Sequence, residues 1–175
     1  MNISIGNANI QQFIGGMITH MIPVQMNLSP SQSQWPNKIP EKPGWYSIET
    51  DAPLSVLQTI GPPQLGKNYD IPKRITHSIE LRNQGLANSI HKEGFYFIYN
   101  GMDKNSLRRR ANEHAYGHAQ TICLSLSQYK ILHSYTWIFY CCTGEALNIP
   151  IDKGILILGE QLWRSVYGWP ILCMR

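Results

Sequence analysis

FYFIYNGMDKNSLRRRANEHAYGH, running from Phe95 to His118, is the stretch whose reading decides the fold. It begins as a short apolar strand over Gly94 to Tyr99, turns at Gly101, and continues as a helix from about Asn105 to Ala115. Asp103 or Asn105 is available to cap that helix. Helical spacing puts Arg110 and His114 on one face, together with Leu107 and Ala111. That face should therefore pack against the body of the protein, while Arg108 and Arg109 project toward solvent or a partner. An arginine and a histidine beside an apolar stripe, just after a tyrosine-bearing strand, suggest a phosphate-handling site rather than a solvated charge run.

Outward from this stretch, further strands are predicted at about Trp45 to Glu49 and over SYTWIFYCC, 134 to 142, the latter rich in aromatic and β-branched residues. Between the first two strands, residues 51 to 93 show no strong periodicity and read as an insertion, the kind of long loop that is usually functional. Residues 118 to 132 read as a helix, with Ile122, Leu126, Tyr129 and Leu132 at helical spacing. A last helix is predicted from Pro150 to Tyr167, stopped by Gly168-Trp169-Pro170. Residues 1 to 42 look like an arm and linker: an apolar, glycine-bearing start from Ile10 to Ile22, then the Pro-, Ser-, Gln- and Asn-rich NLSPSQSQWPNKIPEKPG. The expected fold is α/β (α+β), a small three-stranded, mostly antiparallel sheet flanked by helices, occupying 43–175 with the insertion at 51–93.

Composition agrees with one folded domain. The chain has 175 residues, 43% of them hydrophobic and only 15% charged, which excludes intrinsic disorder. A formal charge of +4 permits a nucleic-acid partner without establishing one. The four cysteines, Cys123, Cys141, Cys142 and Cys173, form no CxxC pair, so they give no zinc signature and read as small buried hydrophobes of a reducing compartment. No basic, apolar leader and no apolar run approaching ~18 residues occurs, so a cytoplasmic protein without a membrane span is expected.

Taken together, these residues resemble the GIY-YIG nuclease family. Gly44-Trp45-Tyr46 resembles its GIY element and Tyr99-Asn100-Gly101 its YIG element. Leu107 to His114 is similar to the family's helix, where Arg and His recur four residues apart, and Glu160 in ILILGEQLW is similar to its metal-binding glutamate. The resemblance runs in the expected order from about 43 to 173. Three features depart from it. Tyr46 and Tyr99 stand 53 positions apart (99 − 46), so the 51–93 insert must loop out where the family usually has a short hairpin. Trp45 and Asn100 replace the usual aliphatics. Gly168 to Cys173 stands where the family often carries an Asn.

The resemblance implies a metal-dependent endonuclease acting on double-stranded DNA, with catalytic residues Tyr46, Tyr99, Arg110, His114 and Glu160. Glu160 would hold Mg²⁺ (or Mn²⁺), because one carboxylate plus waters suits that ion. Arg110 would offer its fork to phosphate oxygens. Tyr46, or Tyr99, would position or deprotonate the attacking water; a phenol near pKa ~10 needs help, which His114, near ~6.5, would give by accepting its proton. Gly101 would let the backbone turn beside the phosphate. Lys104, Arg108 and Arg109 are the expected nucleic-acid contacts. Such a nuclease would be a restriction-type enzyme, with the insert and the arm reading bases and a methyltransferase as companion, or a DNA-degrading toxin delivered into a target cell's cytoplasm with an immunity partner. One active site cuts one strand, so double-strand breaks need a homodimer or sequential nicks.

Other functions fit the same residues. A non-catalytic nucleic-acid-binding module on a degenerate scaffold would explain the altered tripeptides, and an unrelated small α/β protein would use its tyrosines and arginine structurally. Glu160 has a plain alternative in an i,i+4 pair with Arg164. Trp35, Trp137, Trp163 and Trp169 read as core or rim. His20, His77, His91, His118 and His133 show no metal-ligand spacing.

Overall fold

The computed structural model describes residues 7–29, 34–64, 69–83, 91–92 and 94–173. It shows an α+β fold built on one antiparallel sheet. The strands are β1 (Ile22–Gln25), β2 (Gly44–Thr50), the two-residue β3 (His91–Lys92), β4 (Phe95–Asp103) and β5 (Trp137–Thr143), in the order β1-β5-β2-β4-β3. The helices are α1 (Asn7–Thr19), α2 (Leu54–Thr59), α3 (Ile71–Asn83), α4 (Leu107–Tyr116) and α5 (Lys153–Tyr167). The three strands expected from the sequence form the centre of the sheet. The expectation of a three-stranded sheet is corrected by β1, which joins it along β5, and by the short β3 on the other edge.

Two apolar layers enclose the sheet, and the alternation of β2 builds both. Trp45 faces the layer made by Ile14 and Met17 of α1 and Leu156 and Trp163 of α5. Its indole N–H donates to the carbonyl of Leu156 at 2.9 Å, and Phe13 meets its ring edge-on at 5.6 Å. A Cβ at Gly159 would lie 2.4 Å from Trp45 Nε1, so the missing side chain there sets how closely α5 rides on the strand. Tyr46 and Ile48 face the opposite layer, with Phe139 and Cys141 of β5, Ile71 and Ile75 of α3, and Leu107 and Ala111 of α4.

The segment read as arm and linker is built into the domain. Trp35 is buried and its indole N–H donates to Asn27 O and to the Tyr116 hydroxyl. The carbonyls of Lys42 and Pro40 accept the first backbone N–H groups of α4, from Leu107 and Arg108, at 3.0 and 3.2 Å. The Ser106 hydroxyl, rather than Asp103 or Asn105, accepts from Arg109 N–H as the cap. Asp103 instead closes the preceding turn, accepting from Asn105 and Ser106 N–H at 2.8 Å each.

Two further expectations are corrected. The 51–93 insert is not structureless, since it carries α2 and α3; Ile71, Ile75, Ser78 and Ile79 keep the helical period that its polar residues obscured. The helix expected over 118–132 is absent. Gly117, at φ +89°, ends α4, Ser125 adopts φ 51°, and only short 3₁₀ turns follow at Leu126–Gln128 and Lys130–Ser134. Leu126, Tyr129 and Leu132 are buried from a tight loop while Ile122 is exposed, so their helical spacing does not reflect a helix. No helix among the described residues is long and apolar enough to cross a membrane.

Candidate functional site

Tyr46, Tyr99, Arg110 and His114 meet on one face of the sheet. Tyr46 lies on β2 directly across from Gly101 of β4, and a Cβ at Gly101 would come within 2.6 Å of the Tyr46 hydroxyl oxygen. Gly101 therefore does not form a turn, as expected from sequence, because β4 runs through it to Asp103. Its role is to leave a bare strip of backbone on which the phenol can lie. Gly101→Ala is expected to push Tyr46 off its partners and to lower stability by about 1–3 kcal/mol. A denaturant melt reads the loss, and a shift of the His114 imidazole resonances reads the displacement.

Around Tyr46 the geometry is specific. His114 Nε2 lies 2.9 Å from the Tyr46 oxygen, and Arg110 Nε donates to that oxygen at 3.4 Å. Tyr99 stacks on Tyr46 with ring centroids 6.1 Å apart, and its hydroxyl meets that of Tyr69 at 3.1 Å. The backbone N–H of Leu124 donates to His114 Nδ1 at 3.3 Å. A neutral ring whose Nδ1 accepts that bond carries its proton on Nε2 and faces Tyr46 as a donor. In this arrangement His114 and Arg110 both offer donors to the phenol oxygen.

Burial controls the charges here. It pushes the Tyr46 phenol above its ordinary pKa, against the pull of Arg110, and raises Tyr99 as well, with Tyr46 a lesser cause. His114 is held well below its usual value, first by burial and then by the Arg110 cation. A histidine that stays neutral when folded but titrates near ~6.5 when unfolded leaves the unfolded state binding more protons below that pH. Its contribution is present above pH ~6.5 and is lost as the pH falls, by at most about 1.4 kcal/mol per pH unit. Urea melts between pH 7 and 5 should show this slope, and His114→Gln should flatten it.

The helix arginines are all paired, Arg110 inward and Arg109 from a half-exposed position. Arg110 Nη1 contacts Glu113 at 2.6 Å and its fork also donates to the carbonyl of Ile122, so it is not offered to a phosphate as the sequence suggested. Glu113 is buried and pairs with Arg109 too, which in turn reaches Asp103 at 2.5 Å. Arg108 donates to Ile39 O and Asn37 O and pairs with Glu41. Of the expected nucleic-acid contacts, Arg108 and Arg109 thus hold the arm and the β4–α4 turn, while Lys104 is exposed. The i+3 and i+4 spacing of Glu113 from Arg110 and Arg109 was the signal that could have shown this.

A cleft of about 1140 Å³ opens beside the tyrosines, lined by Tyr99 but not by Tyr46. Glu160 and Arg164 of α5 stand on one wall, and Tyr69 and Arg74, from the insert, on another. Glu160 pairs with Arg164 Nη2, whose Nε donates to Asn100 Oδ1 at 2.8 Å. Cys173 Sγ sits 3.3 Å from the same amide oxygen, its thiol pushed up to about 11 by burial against the pull of Arg164. Asn100, one of the departures from the family tripeptide, is thus the buried acceptor that seats Arg164. Among the described residues no group of three or more His, Cys, Asp or Glu could cage a metal. A single carboxylate on a wet wall still suits Mg²⁺, which keeps most of its waters, provided Arg164 yields or shares Glu160.

Three other histidines have local bonds: His20 to Gly16 O, His133 to Ser127 O, and His118 to Gln120 and Thr121; His77 lies 3.8 Å from Glu80. The side chain of His91 lies outside the described residues. Comparison with protein families, with curated proteins and with solved structures finds no match for this chain.

Proposed function

We propose that the chain is a metal-dependent endonuclease of the GIY-YIG type, hydrolysing phosphodiester bonds in double-stranded DNA, in a restriction-type role. The observation that carries this reading is the convergence of Tyr46, Tyr99, Arg110 and His114 from β2, β4 and α4, beside a cleft whose wall bears Glu160. Tyr99 is the tyrosine that reaches the cleft, so it would orient the attacking water. Tyr46 lies behind it and, clasped by His114 and Arg110, would fix the Tyr99 ring and bias its field. Burial keeps both phenols protonated at neutral pH, so they act by positioning rather than as standing bases. Glu160 would hold a Mg²⁺ ion, which supplies Lewis acidity at the leaving oxygen. Arg74 and Arg164 line the cleft, which Arg110 does not, and would meet phosphate there.

The restriction role is favoured because the insert supplies Tyr69 and Arg74 to the cleft wall. A binding module without catalysis is the second reading, and the Glu160–Arg164 pair is the observation in its favour. Purified protein incubated with supercoiled plasmid, in Mg²⁺ or in EDTA, separates these outcomes. Discrete metal-dependent fragments support the restriction nuclease, and a smear supports a toxin. Salt-sensitive binding without turnover in any divalent metal would leave only the module.

A further inference from the structure

We infer that the cleft beside Tyr99 takes an unstacked nucleobase, with Trp169 as its stacking platform, so that the preferred substrate presents an unpaired or extruded nucleotide. The inference rests on the nucleic-acid reading above and assigns the site a substrate class.

The chemistry of the walls is mixed in a particular way. Ile122, Ile157 and Trp169 are 56%, 42% and 37% exposed, and all three line this one cleft. Exposed apolar side chains gathered in a concavity mark a ligand that brings apolar surface of its own. A phosphate backbone alone would call for cations and polar groups. Yet cations are present too, each mounted on an aromatic ring. Arg164 lies 4.7 Å from the centroid of Trp169, and Arg74 lies 4.1 Å from that of Tyr69. Arg74, which also donates to Leu172 O, and Arg164, seated by Asn100 and Glu160, set positive charge against one face of each ring, and the other face of the Trp169 indole is the one that would meet a flat partner. Aromatic platforms flanked by cations are the arrangement that single-stranded nucleic acid uses, because every base has a π-face and each is followed by a phosphate.

Trp169 is also held where a platform must be. It follows Gly168, which ends α5 at φ +86°, and Arg164 beneath it is fixed by Asn100 and Glu160. Tyr69, on the facing wall, touches Tyr99 through its hydroxyl. A base against Trp169 would therefore bring its neighbouring phosphate toward Arg164, Glu160 and the tyrosines. An intact duplex keeps its bases stacked and could not supply one there without unpairing it.

The molecule carries its own probe, since four of its five tryptophans are buried and Trp169 is the exposed one. A short oligothymidylate strand and a blunt duplex of equal length are titrated in EDTA, which allows binding without cleavage. The strand is expected to quench tryptophan emission and to bind more tightly than the duplex. Trp169→Ala should abolish the quenching and weaken binding, read by anisotropy of a labelled strand, on the order of 10- to 100-fold. Trp169→Phe should restore most of the affinity, which shows that the loss comes from the platform rather than from misfolding. Strand binding unchanged in Trp169→Ala, or duplex binding without any response from Trp169, would overturn the inference. Quenching without metal-dependent plasmid cleavage would remove the nuclease and keep the platform, whereas full cleavage with a silent Trp169 would do the reverse.

Discussion

Arg110→Ala is expected to reduce metal-dependent cleavage by about 10²-fold or more, although Arg110 does not line the cleft. The argument runs through Tyr46. Arg110 Nε is one of the donors on the phenol oxygen, and the other arms of its fork bind Glu113 and the carbonyl of Ile122. Without it Tyr46 loses a clamp, its stacked partner Tyr99 loses a fixed neighbour, and misplacement of about 1 Å at the reacting groups costs about that factor. Stability should fall as well, at the low end of the ~3–5 kcal/mol typical of a broken buried pair, because Arg109 still neutralises Glu113. Arg110→Lys keeps a charge but cannot hold three partners in one plane, so its activity should stay low while much of the stability returns. Cleavage at the wild-type rate in both variants would reduce Arg110 to a structural residue.

Glu160→Gln is expected to remove cleavage by on the order of 10³-fold, with little change in stability. The amide retains the shape of the side chain and a hydrogen bond to Arg164, which is also seated by Asn100. What it loses is the charge that would hold Mg²⁺. Calorimetric titration with Mg²⁺ or Mn²⁺ gives an activity-independent reading: binding by the parent and none by the variant locates the ion. Equal cleavage by parent and variant would leave Glu160 as half of an ordinary helix pair.

What the sequence disclosed, and what it hid, divides along physical lines. Local signals reported well. The central strands showed in their aromatic and β-branched runs, α5 in the Gly168-Trp169-Pro170 stop, and α4 in the spacing of Leu107 and Ala111, which are buried as expected. Long-range pairing was hidden. Nothing in IPVQ marks it as a partner of β5, because a four-residue strand gains its register from the strand it meets. The meeting of Tyr46, Tyr99, Arg110 and His114 was implied by the family resemblance, while spacing alone placed only Arg110 and His114 on a shared face. The tautomer of His114 was not legible, because it depends on one backbone N–H from a loop that had read as helix. Nor were the ion pairs of Arg108 and Arg109 apparent, since side chains expected to project toward solvent or a partner show their carboxylates only once these are placed. In the sequence Asn100 reads as a departure from the family tripeptide and Trp169 as a core or rim residue. Their contacts with Arg164 appear only once α5 lies across the sheet.

The sheet order has a consequence for how the chain acquires its structure during synthesis. Ile22 of β1 pairs with Cys141 of β5, a separation of 119 residues (141 − 22), and α1 packs on α5, which is later still. At ~5–20 residues per second, the first helix and strand leave the ribosome on the order of ten seconds before their partners exist. Through that interval the apolar face of α1 and an unpaired strand edge are open to other chains. Non-local pairing of this kind slows folding and favours aggregation of nascent or truncated chains. A ribosome stalled before Trp137 should therefore hold a chain that chaperones bind and proteases cut between α1 and β2, and release through Tyr167 should end both.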